Sequence, residues 1–141
     1  MPARRAAYWT TTTLIALSFL SGGVAYLFRA DATLRGMMEL GYPPYFLTIL
    51  GVWKLLGGVV ILAPRYPRLK EWAYAGVVFD LSGAAFSHLA MRQPLWHVVV
   101  TVSLLGMTLV SWALRPEGRK IGDLVGRVEP AVSGLPLVGV R

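Results

Sequence analysis

The 141-residue chain contains no cysteine, which excludes disulfides, thiolate metal ligation, a cysteine nucleophile and any dithiol relay of its own. Charge is scarce too. Asp, Glu, Lys and Arg supply 15% of the residues, against about 25% in an average soluble domain. With 55% hydrophobic residues, such a chain is neither disordered nor strongly solvated. The patterns of common hydrolases and nucleotide binders are also missing, with no P-loop, no Gly-x-Ser-x-Gly and no His-Glu-x-x-His. An autonomous enzyme is therefore not expected. No intrinsic cofactor and no metal centre are expected either, so electron transfer would require a bound group such as a quinone.

What the chain does have is apolar length. Four stretches are long enough to cross a hydrocarbon core of about 30 Å at 1.5 Å per helical residue: residues 8–28, 45–63, 72–90 and 95–114. Arg4, Arg5 and Arg29 bracket the first. Pro43-Pro44 and Pro64 bound the second, and Pro94 and Arg115-Pro116 bound the fourth, each proline sitting where it harms a helix least. Ala30-Asp31-Ala32 has the small-residue spacing of a signal-peptide cleavage site. The apolar stretch before it, however, exceeds the signal core of about 7 to 15 residues, so the first span is expected to be retained. The fold class is all-α, a four-span transmembrane bundle formed by residues 1–115.

Orientation follows from the flanking cations. With both termini inside, the cytoplasmic side holds Arg4, Arg5, Arg65, Arg68, Lys70, Arg115, Arg119, Lys120, Arg127 and Arg141, and the opposite side only Arg29, Arg35 and Arg92. This asymmetry predicts a multi-pass protein of a bacterial inner membrane, N-in and C-in. Trp9, Tyr42, Tyr45, Tyr66, Trp72 and Trp96 lie near span ends, as interfacial anchors do. Residues 116–141 form a basic cytoplasmic tail in which Ile121, Leu124, Val125 and Val128 repeat with helical period. A short amphipathic helix over residues 119–128, lying on the inner surface, is expected there. The net charge of +7 sits at the ends of apolar runs, so anionic lipid headgroups rather than nucleic acid are its partner.

The informative residues are charges that a membrane should exclude. Lys54 and Asp80 fall mid-span and would each cost several kcal/mol facing lipid alone. Both lie 13 residues from Pro67, at the centre of the connection between spans two and three. Equidistant residues of an antiparallel hairpin share a depth, so the pair is expected to meet near the bilayer midplane. Gly76, Asp80, Gly83, Ala84 and Ser87 share one face of the third span, and Gly51, Lys54 and Gly58 one face of the second. Ser18, Gly22 and Ala25 give the first span a small face, and His97, Thr101, Thr108 and Ser111 give the fourth a polar stripe. A homodimer packed through Ser18 and Gly22, or through Gly51 and Gly58, is compatible with these stripes. No inverted repeat or broken helix suggests a transporter.

The same equidistance holds for His88 and His97 about the Arg92-Gln93 turn, with Glu39 near enough to join them. Two histidines on adjacent helices are weak evidence for a metal. They are read as interfacial hydrogen bonding, ligand binding or proton exchange. The ligand-binding candidates are Lys54, Asp80, Ser87, His88, Trp53, Thr101 and His97, with Trp53 as a cavity wall.

Three segments carry a resemblance: Leu50-Gly51-Val52-Trp53-Lys54-Leu55-Leu56-Gly57, Leu69-Lys70-Glu71-Trp72-Ala73-Tyr74-Ala75-Gly76, and Phe79-Asp80-Leu81-Ser82-Gly83-Ala84-Ala85-Phe86-Ser87-His88. In this order they are similar to the signature stretches of the DoxX-like family of small bacterial membrane proteins, over residues 8–115. The resemblance implies a four-helix transmembrane bundle. The wider group includes a membrane subunit of thiosulfate:quinone oxidoreductase, proteins associated with oxidative stress and a receptor-assembly chaperone. Lys54, Asp80, Ser87 and His88 match the family's recurrent polar positions, without a catalytic role attached. Two readings follow. In one, a quinone-like or other amphiphilic ligand binds at the Lys54-Asp80 pair in an accessory subunit serving a membrane redox partner. In the other, the protein is structural or assists assembly, and the pair only fixes helix packing.

Overall fold

The computed structural model describes residues 2–116 and Arg119. Among them there are five helices and no strand: α1 (Pro2–Leu27), α2 (Asp31–Glu39), α3 (Tyr45–Leu62), α4 (Pro67–Ala90) and α5 (Leu95–Ala113). Apart from Arg119, the amphipathic helix expected over 119–128 and the basic tail lie outside the described residues. By length and composition α1, α3 and α5 are membrane-capable. At 24 residues α4 is long enough as well, but Arg68, Lys70, Glu71 and Asp80 make it the most polar of the four long helices. The connection between the first two spans holds a helix of its own, α2. Asp31 at the start of α2 complements the positive end of its dipole.

The long helices form a ring in which α1 touches α3 and α5, and α4 touches the same two. Ile15 and Phe19 of α1, Ile61 of α3, and Tyr74, Val77 and Leu81 of α4 build the shared core, against which Leu104, Leu105 and Met107 of α5 pack. At one end of the bundle lie the start of α1, the end of α3, the start of α4 and the end of α5. Thr12, Tyr74 and Ser111 join there through buried hydroxyls 2.7 and 2.8 Å apart. Thr101 and Thr108 bond the carbonyls one turn back, at His97 and Leu104, which lets a polar stripe face the core without unmet groups.

Two expected faces, on α1 and α4, are rotated from where spacing alone put them, while the small face of α3 turns into the bundle as expected. On α1 the close approach to α3 is made by Gly23, not by Ser18 or Gly22, because the core residues Tyr8, Thr12, Ile15 and Phe19 define the buried side. Gly51 and Gly58 are buried against α1, where added Cβ atoms would come within 2.9 Å of Leu27 and Leu20. That stripe packs inside the chain. On α4 the buried stripe is Lys70, Tyr74, Val77, Leu81 and Ala85, while Gly76 and Gly83 have nothing within 4 Å. The small face of α4 therefore opens space instead of closing it.

Lys70 departs furthest from expectation. Counted among the flanking cations, it is fully buried. Its ammonium donates to the Val60 and Ile61 carbonyls at 2.8 and 2.7 Å, capping the last turn of α3 from the first turn of α4. Its position four residues before Tyr74 on the buried stripe was the sequence signal for this role.

Candidate functional site

Lys54 and Asp80 reach each other across the α3–α4 seam. The ammonium donates to Asp80 Oδ2 at 2.6 Å, with the side chains 13% and 17% exposed. The hairpin arithmetic holds because a short turn joins two regular helices of equal rise. The ammonium also lies 4.3 Å from the centroid of the Phe19 ring and 5.4 Å from that of Tyr26, both on α1. Each ring face contributes cation–π attraction in a desolvated setting. Three helices thus hold the charge that lipid would reject.

Two cavities share this pair as a wall. The first, about 400 Å³, runs from Lys54, Asp80 and Leu50 toward the α3–α4 turn. Phe19, Trp53, Leu56, Leu69, Trp72 and Val77 line it, with Gly57 and Gly76 supplying the room. It is almost wholly apolar. Trp53 and Trp72, at 67% and 81% exposure, stand at its open side, so the crevice faces the hydrophobic exterior. The second cavity, about 380 Å³, runs the other way, beneath α2. Its lining includes Tyr26, Glu39, Tyr42, Ser87, His88, Gln93 and His97, with Gly83 leaving space as Gly76 does in the first. One pair of charges thus separates an almost wholly apolar compartment from one richer in polar groups.

The polar compartment is ordered by hydrogen bonds between its elements. Tyr42, expected as an interfacial anchor, is turned inward, its hydroxyl 2.7 Å from Ser87 Oγ. Ser87 in turn donates to the Gly83 carbonyl at 2.9 Å, which leaves Tyr42 as donor of the shared bond. His88 Nδ1 lies 2.7 Å from Gln93 Oε1, and Gln93 Nε2 reaches Glu39 at 3.5 Å. The rings of His88 and His97 stack with centroids 4.9 Å apart, and Trp96 stacks on His97 at 3.6 Å. Among the described residues no three His, Asp or Glu side chains come together as a metal site.

Of the sequence candidates, Lys54, Asp80, Ser87, His88 and His97 line the polar cavity together, and Trp53 lines the apolar one beside the same charges. Thr101 lines neither. It is buried in α5 with its hydroxyl committed to the His97 carbonyl. Sequence reasoning missed Tyr42, Tyr26 and Gln93. Tyr42 bonds a residue 45 positions away, and no local pattern encodes such a pairing. Gln93 sits in the turn between the two histidines, which was a usable hint.

The arrangement offers one cation, two carboxylates, two phenols, two hydroxyls, an amide and two imidazoles around a partly enclosed volume with an apolar annexe. It can hold an oxygen acceptor at Lys54 and pass a proton between Asp80 and the mouth. No curated protein and no solved structure matches the chain. The DoxX-like family model matches residues 10–111, a region that contains every residue lining both cavities. The chain is a member of the DoxX-like family, a membrane protein with apolar spanning helices and a charged pair between two of its long helices.

Proposed function

We propose that the protein binds a small amphiphile of quinone type at the Lys54-Asp80 pair and serves as an accessory subunit of a membrane redox partner. The carrying observation is that one ion pair walls both an apolar cavity of about 400 Å³ and a more polar one of about 380 Å³. An apolar tail fits the Trp53–Trp72 crevice. A carbonyl-bearing head fits between Lys54, Tyr42, Ser87 and His88, where Lys54 donates to the oxygen and Asp80 orients the ammonium. The same reading takes α1, α3, α4 and α5 as four spans of a bacterial inner membrane, with both termini on the cytoplasmic side. The excess of Lys and Arg at that end supports it.

The test is titration of purified full-length protein with a short-chain quinone, followed by thermal unfolding. Binding at a hundredfold excess over Kd stabilises by about 2.7 kcal/mol, and the shift is expected to vanish when Lys54→Met and Asp80→Leu are combined. An unchanged transition in the native protein rejects the proposal.

The second reading, a structural or assembly role, draws on the closed geometry of the pair, whose ammonium already has a carboxylate and a ring face. Under it the same double variant keeps full activity in cells, since a buried pair is replaceable by apolar residues of similar volume.

A further inference from the structure

At the end of the bundle away from the polar cavity, three cations gather around two buried tyrosines. Arg115, 3% exposed, lies with its guanidinium 5.1 Å from the Tyr74 ring centroid. Arg119 donates to the Tyr8 hydroxyl at 3.0 Å and stands 4.8 Å from the Trp9 ring centroid. Lys70 is fully buried beneath them. Among the described residues their carboxylate partner is Glu71, whose oxygens take Arg115 Nη2 at 2.7 Å and the Trp112 indole at 2.9 Å. Burial works to raise the Glu71 carboxyl, but the hydrogen bonds from Trp112 and Arg115 and the Arg115 charge hold it below its ordinary range. It therefore stays ionised and cancels one charge of three.

The surplus is felt inside the cluster. The Lys70 ammonium is pushed down to about 8, first by burial and then by the nearby Arg119 and Arg115 charges. It remains protonated at neutral pH, as its two carbonyl partners require. Independently of that balance, one donor has no acceptor among the described residues. Arg115 Nε bonds the Trp112 carbonyl and Nη2 bonds Glu71, while Nη1 is buried with no hydrogen-bond partner among the described residues. A buried guanidinium donor left unmet is costly, and its natural complement is an oxyanion.

We infer that Arg115 and Arg119 form a phosphate-binding site at this end of the bundle, above the buried charge of Lys70, with Arg115 Nη1 as the donor held for the ligand. A tetrahedral oxyanion accepts from Nη1, lowers the remaining positive charge and lies at the level of Trp9 and Trp112, both exposed. The same chemistry is offered by the headgroup of an anionic phospholipid and by free inorganic phosphate. The site stands whether or not the Lys54-Asp80 pair binds a ligand, since it shares no residue with either cavity.

The experiment compares full-length protein in vesicles of pure phosphatidylcholine with vesicles containing phosphatidylglycerol, reading thermal stability and lipids retained by native mass spectrometry. A parallel arm titrates inorganic phosphate into detergent-solubilised protein. Preferential retention of phosphatidylglycerol assigns the lipid source, and stabilisation by inorganic phosphate in detergent assigns the free ion. Arg115→Gln is expected to lower the selectivity about tenfold, the loss of a charged hydrogen bond of about 1.5 kcal/mol. The partly exposed Arg119→Gln gives the same direction in a variant less prone to misfold. No dependence on lipid charge or phosphate in the native protein, or an unchanged preference in a folded Arg119→Gln, overturns the site.

Discussion

Along the α1–α3 seam, a Cβ added to Gly23, Gly51 or Gly58 would come within 2.9 Å of a leucine side chain; along the α3–α4 seam, Gly57, Gly76 and Gly83 have nothing within 4 Å. Both seams use α3 and both use glycine, to opposite ends. In the first, the missing side chains let backbones approach, and dispersion holds helices that gain little from hydrophobic burial in lipid. In the second, Lys54-Asp80 clasps helices that stay apart on either side of it, and the glycines leave the gaps as cavities. A seam closed by packing leaves no room for a site. One closed by a polar clasp does.

Breaking the clasp should have the largest effect. Lys54→Ala leaves Asp80 as a mostly buried carboxylate without its cation, and a loss of about 3 kcal/mol is expected. Combining Lys54→Met with Asp80→Leu should recover most of it. Thermal unfolding of both variants in one detergent reads the difference, and equal losses would mean that the pair carries no burial penalty. Next in size is Gly51→Val. Its side chain meets Leu27 and the Gly23 carbonyl, so overpacking of about 2 kcal/mol is expected, seen as a lowered unfolding midpoint. Gly76→Ala and Gly83→Ala should do the reverse, gaining about 0.5 to 1 kcal/mol each from reduced backbone freedom in a helix. They also narrow the cavities, so ligand binding should weaken while the midpoint rises. That opposite movement separates space kept for function from space left by loose packing.

A pH dependence is also expected, at the end of the bundle that holds Lys70. With Lys70 pushed down to about 8 from an ordinary 10.5, the unfolded chain binds a proton that the folded chain does not between those values. Stability should therefore rise with pH across that window and be lowest, for this group, below it. Subtracting the pH profile of Lys70→Met isolates the slope. A native profile parallel to that of the variant would place the ammonium in water.

Much of the polar site was legible because depth along a hairpin is a local quantity. Lys54 and Asp80, like His88 and His97, lie equally far from their turns, and each pair meets. The same arithmetic says nothing about where a helix turns its faces. It read Tyr42 and Lys70 as surface groups, though one bonds Ser87 and the other caps α3. Nor does it say that Gly76 and Gly83, on the face shared with Asp80, stand open. It also placed Thr101 at a site that its own helix keeps it from.

By itself, then, the sequence determined the apolar spans, the excess of cations at one end and the height of each buried charge, because rise per residue is fixed by backbone hydrogen bonding. Rotation of each helix about its axis was decided only in the tertiary structure. That angle depends on which side chains of Tyr74, Val77, Leu81, Phe19 and Ile61 fill one another's gaps, a collective choice among residues up to 66 positions apart in the chain, Ile15 to Leu81. Cavities form where that choice leaves small residues facing one another across a clasp.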